Sequence, residues 1–142
     1  MRGSLVLAFV LVAGFAHAGD MPGVDNAGRA QVNYMLNCQG CHGADGAGTA
    51  DGAVPTMKDF LGNFLSVAEG REFLIRVPGS ANAALTDAAL AEVLNWMLPR
   101  ISPGQIPADF APYTEAEVAK WRKEPLADVI GERAKLIARM AQ

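Results

Sequence analysis

The stretch "NCQGCHGADGAG", residues 37–48, holds both cysteines of the chain, Cys38 and Cys41, and one of its two histidines, His42. Two thiols and an imidazole this close together suit three chemistries: covalent haem attachment, a metal ion, or a dithiol–disulfide pair. The order Cys38-Gln39-Gly40-Cys41-His42 fits the CxxCH pattern of haem attachment. Thiols two residues apart reach the two vinyl groups along one porphyrin edge, and the imidazole that follows at once can ligate the iron. A structural zinc site takes four ligands, whereas after residue 18 only Cys38, Cys41 and His42 are cysteine or histidine. A thioredoxin-type dithiol expects a βαβ setting, and no run here alternates as a strand does. A plain disulfide would leave His42 and the following glycines without a role.

Upstream of this stretch, Arg2, the apolar run Leu5–Phe15 and the triplet Ala16-His17-Ala18 read as a secretory signal peptide over residues 1–18, with Gly19 beginning the mature chain. The run is shorter than the about 20 apolar residues a spanning helix needs. The residue directly after the cleavage point is Gly19, not a cysteine that could carry a lipid. The expectation is an exported, soluble, periplasmic protein with no stable membrane insertion. Export agrees with haem attachment, which takes place outside the cytoplasm. The length, 142 residues, suits one domain with an extension, and the formal net charge of −3 gives no basic surface for nucleic acid.

Downstream, the Gly/Ala/Asp-rich residues 40–53 cannot form a regular element with its own core. Ordering such a loop costs roughly 1–2 kcal/mol per residue, so a large apolar ligand at the centre of the core would help to hold it. The remaining chain reads as helices. Asn26 can cap a helix running into Cys38. Ser66 with Glu69 forms a capping box for a helix over 67–77, stopped by Pro78 and Gly79. Thr86 caps "DAALAEVLNWML", residues 87–98, whose apolar positions recur at helical spacing and which Pro99 ends. "SPGQIPADFAPY", residues 102–113, reads as a proline-rich strap. Thr114 and Glu117 make a second capping box for a helix through Trp121. Pro125 suits the first turn of a last helix, with Leu126, Val129, Ile130, Leu136, Ile137 and Met140 largely on one side. The fold class expected is all-α, with residues 19–101 as one domain and 102–142 as a C-terminal strap and helices.

From about Asn26 to Leu98 the chain resembles the class I c-type cytochromes. The resemblance rests on "CQGCHGADGAG", on "VPTM" with Pro55, and on "LTDAALAEVLNWML". It implies a cytochrome c-like helical fold around one covalently bound haem c, with Cys38 and Cys41 as thioethers and His42 as the proximal iron ligand. It also implies that the Asn26–Cys38 helix crosses the Asp87–Leu98 helix, with Gly28 allowing close approach. The Pro55 carbonyl would accept a hydrogen bond from His42 Nδ1, a contact that fixes a ligand's ring orientation. Trp96 lies near the aromatic position of the family's last helix, where it would pack against the haem. The activity implied is single-electron transfer between a periplasmic dehydrogenase or other donor and a downstream acceptor, a carrier rather than an enzyme.

The family's usual second iron ligand is a methionine before the last helix, and residues 70–87 contain none. Met35 and Met97 lie among helical leucines and read as core. Met57 is the best remaining candidate for a distal ligand, although its place two residues after Pro55 better suits haem packing; Asn82 is a further candidate. An open or weak sixth site would instead bind a small ligand such as nitric oxide, carbon monoxide or peroxide. Arg71 and Arg76 are candidates to pair with haem propionates. The apolar stripe of the last helix must be covered, either by wrapping back over the haem domain or by docking on a redox partner.

Overall fold

The computed structural model describes residues 21–141, so the expected signal peptide lies outside the described residues. All regular structure among them is helical: α1 (Ala27–Asn37), α2 (Gln39–His42), α3 (Gly70–Arg76), α4 (Pro78–Ala81), α5 (Asp87–Ile101), α6 (Glu115–Trp121) and α7 (Val129–Met140), with 3-10 turns at Leu61–Ser66 and Pro103–Gln105. The all-α expectation holds. None of these helices is long and apolar enough to cross a membrane.

Helix α5 is the axis of the molecule. Thr86 caps it, its hydroxyl accepting from Ala89 N at 3.1 Å. Leu90, Val93, Leu94 and Leu98 are almost wholly buried, each contributing about 1.5–3 kcal/mol relative to exposure. The helix does not stop at Pro99 but runs on to Ile101. Proline forgoes one backbone donor, yet burial of Ile101 and the bond from Ser102 N to Leu98 O hold the last turn.

Helix α1 packs on α5. Its cap is Asn26, whose side chain accepts from Arg29 N at 2.9 Å. The small residue sealed within the core is Ala30 rather than Gly28, where an added Cβ would meet only the Asn26 side chain. Glu92 of α5 locks the pair. Its carboxylate accepts from Asp25 N and Asn26 N, and from Arg29 Nε and Nη2, both at 2.8 Å.

The Ser66–Glu69 capping box does not form. A 3-10 turn occupies 61–66, and α3 begins only at Gly70, behind Glu69 in the left-handed conformation at φ 63°. The turn closes tightly on Gly70, where any Cβ would collide with the Phe64 carbonyl. The Glu69 carboxylate instead pairs with Arg139 of α7 at 2.6 Å. The Thr114 box forms by half: Thr114 accepts from Glu117 N, but the Glu117 carboxylate turns to Arg71.

The strap and last helices wrap back over the rest of the chain. Tyr113 is buried, its N–H donating to Asn95 Oδ1 at 2.8 Å and its hydroxyl to Arg71 O at 3.1 Å. Helix α6 packs on α5 and α3, and α7 on the 61–66 turn and α3. Helix α7 starts at Val129 rather than in the turn of Pro125, capped by Asp128, while Leu126 N bonds Arg76 O and ties the approach to α3. Leu136 is buried, but Ile130 is 85% exposed. Six positions before Leu136, it is carried to the far side of the helix at 100° per residue.

Candidate functional site

An apolar cleft of about 290 Å³ opens between the α1–α2 junction, the segment after the glycine loop, α3–α4 and α5, with α7 at its rim. Cys38, Cys41, His42, Pro55 and Met57 all line it. The chain therefore brings together the cysteine–histidine cluster and the two residues that the sequence placed near it.

Local backbone positions each group. Cys38 interrupts the helix at φ −127°, ψ −42°, and one further helical turn, α2, carries Cys41 and His42. Both cysteines are free thiols. Burial, and secondarily the neighbouring Cys41, pushes the Cys38 thiol up to about 11. At neutral pH it is a protonated, poor exchanging thiol, which weighs against a dithiol-exchange chemistry. Burial lowers the His42 pKa, favouring the neutral imidazole that ligates metals. His42 Nδ1 is sealed from solvent with no hydrogen-bond partner. The hydrogen bond expected from it to the Pro55 carbonyl is not made, although Pro55 lines the same cleft.

The glycine loop does not depend on a ligand for all its order. Gly48 N bonds His42 O, Thr49 N bonds Val54 O, and Met57 N bonds Gly46 O at 2.7 Å. Gly48 adopts φ +75°, where a Cβ would collide with the Val54 carbonyl. The loop thus folds back on itself, bringing Pro55 and Met57 to the cleft that His42 also lines.

The other predicted residues lie elsewhere. Trp96 is buried but does not line the cleft. It packs against Tyr34 at 5.6 Å between ring centroids, with Arg100 over its other side at 4.7 Å. The next residue, Met97, faces the cleft, and one step along a helix turns a side chain by 100°. Asn82 is exposed at the end of α4, outside the cleft. Met35 is 51% exposed rather than core. Arg71 is held by Glu117 and the Ala111 carbonyl, and Arg76 by Glu72 and the Glu124 carbonyl. Sequence reasoning missed the remainder of the cleft: Phe60, Phe64 and Phe73 on one wall, and Val129 and Arg133 from α7. Nothing local in the sequence links these aromatic positions or α7 to this site.

The residues suit an apolar group that an imidazole can ligate. The walls are mostly aliphatic and aromatic, two thiols line them, and an imidazole that burial keeps neutral, with an orphaned buried nitrogen, lines them too. Among the described residues no cluster of three or more His, Cys, Asp or Glu side chains could hold a bare metal ion. Compared with known proteins, the chain matches no family model, no curated protein and no solved structure.

Proposed function

We propose that this chain is an exported monohaem c-type cytochrome that passes single electrons between a periplasmic donor, such as a dehydrogenase, and a downstream acceptor. The observation that carries this reading is the convergence of Cys38, Cys41 and His42 on one apolar cleft. Export is supported by the signal-like pattern of residues 1–18. The proposed fold is that of a cytochrome c, in which α1 crosses α5 and residues 102–142 form an added cover.

Each cysteine thiol would add across one vinyl double bond of haem, sulfur to one carbon and hydrogen to the other. No group leaves, and there is no net oxidation. His42 would supply the proximal ligand in its neutral form, which burial already favours. Haem, when bound, supplies a reversible one-electron couple at iron. The chain's own part is to exclude water. Leu61, Phe64, Leu74, Leu90, Val93 and Leu94 give the cleft dry walls. A fixed, dry environment keeps reorganisation small as charge comes and goes.

The test is a haem stain after denaturing electrophoresis of the exported, matured protein. A covalent signal is expected from the parent and none from Cys38→Ala/Cys41→Ala. An unstained parent chain overturns the proposal.

A second reading, a haem protein with an open or weakly filled sixth site, is favoured by one feature. The part of the cleft built by α3 and α4, with Phe73, Leu74, Val77 and Ser80, presents no methionine or histidine. Ready binding of carbon monoxide by the ferrous protein would select this reading over the simple carrier.

A further inference from the structure

Among the described residues that line the cleft, one carries a full charge: Arg133 of α7. It is half-buried, with its guanidinium carbon 5.4 Å from the centroid of the Phe60 ring. Its guanidinium forms no ion pair or hydrogen bond with any described residue. The neighbouring cations of the same helix are matched, Lys135 by Glu132 and Arg139 by Glu69. So are Arg71 and Arg76, the two residues that the sequence offered as partners for a haem propionate.

An unpaired guanidinium drawn partly out of water is costly unless an anion meets it. The Phe60 ring supports its flat face, which leaves the forked edge to bind a carboxylate at two points. Cys38 and Cys41 enter the cleft from the α1–α2 junction, whereas Arg133 comes from a helix packed on the 61–66 turn and α3. Haem carries two carboxylate substituents besides its two vinyl groups. We propose that Arg133 is the anion-recognition residue of the cleft and holds a haem carboxylate, so that the C-terminal extension is part of the cofactor site. This inference rests on the haem reading above.

The charged groups around Arg133 are accounted for. On α3, Glu69 and Glu72 are held by Arg139 and Arg76; on α7, Glu132 is held by Lys135. Asp128 caps Gly131 N, and the 61–66 turn carries no charge. In the cleft itself only Cys38, Cys41 and His42 are titratable besides Arg133.

The experiment is an equilibrium redox titration of the haem-loaded full chain between pH 5 and 9. It compares the parent with Arg133→Gln, Arg133→Lys and the control Lys135→Gln. Loss of a cation beside an uncompensated carboxylate favours the ferric state. It also makes that carboxylate easier to protonate. Arg133→Gln should therefore lower the midpoint potential and move a pH-dependent step upward into the titrated range. Arg133→Lys should retain most of the parent's profile, and Lys135→Gln, with the same charge change, should leave it nearly unmoved. An Arg133→Gln profile that superimposes on that of Lys135→Gln overturns the inference while the haem reading stands. An unstained parent overturns both. If Arg133→Gln fails to accumulate with haem, recovered loading in Arg133→Lys supports the inference, and an equal loss overturns it.

Discussion

His42 and Met57 come from opposite ends of one glycine loop, yet they meet at one cleft because the loop is closed by its own backbone. Gly48 N reaches His42 O and Met57 N reaches Gly46 O. Met57 is thereby carried into the cleft that His42 lines, where its side chain is buried. Met57→Ala is expected to cost about 2–5 kcal/mol in denaturant unfolding through the cavity it leaves. It should also leave unchanged any far-red absorption band of a thioether-bound ferric haem. A band present in the parent and lost in Met57→Ala would make Met57 the distal ligand. At this scale the cysteine–histidine cluster was legible because its chemistry depends on spacing alone. Trp96 and Arg71 were not, because a side chain's target depends on which way its helix is turned and on which distant carboxylate lies within reach.

Helix caps are local, and three of them, Asn26, Thr86 and Thr114, act as the sequence implies. The bonds between elements are not local. Glu92 is 5% exposed and ties the start of α1 to α5. The Arg29 guanidinium, aided by the backbone N–H of Asn26, holds its carboxyl below the usual carboxylate range. A carboxylate depressed in the folded state stabilises fully above its unfolded pKa, about 4.3 for glutamate. That stability is lost as pH falls through the lower, folded value. Glu92→Gln should therefore cost about 2–3 kcal/mol at pH 7 and flatten the acid limb of stability measured by denaturant midpoint from pH 7 to pH 3. An acid limb identical to the parent's would refute the lock. Arg122, at the end of α6, donates to the carbonyls of Ala81, Ala83 and Leu85 and pairs with Asp87 at 2.9 Å. It staples the chain just after the α4 wall of the cleft. Arg122→Ala should lose about 2–3 kcal/mol and speed amide exchange over 81–86. Lysine should rescue little, since it lacks the fork. Unchanged exchange in Arg122→Ala would dismiss the staple.

For the whole molecule, the strap and last helices decide whether the first part of the chain can stand alone. Tyr113, Val118 and Leu136 bury their side chains against it, and Asn95 bridges Gly23 O and Tyr113 O from the middle of α5. A chain ending at Ser102 would expose these faces and strip the Asn95 amide of both its bonds to Tyr113. It is expected to lose its cooperative thermal transition by circular dichroism. A truncated chain that melts at the parent's temperature would mean that the tail serves a partner rather than the fold.

What the sequence determined by itself was whatever a few adjacent residues can settle: the helical class, the caps at Asn26, Thr86 and Thr114, the CxxCH cluster and the need to cover an apolar stripe on α7. What only the tertiary structure decided was which faces meet. It ran α5 through Pro99, delayed α3 to Gly70, left Gly28 outside the helix crossing, and laid α7 at the mouth of the cleft. The physical reason is one of range. Hydrogen-bond caps and thiol spacing act within a turn of chain, whereas burial and ion pairing are won between residues tens of positions apart, as Glu69 with Arg139 and Arg71 with Glu117 demonstrate.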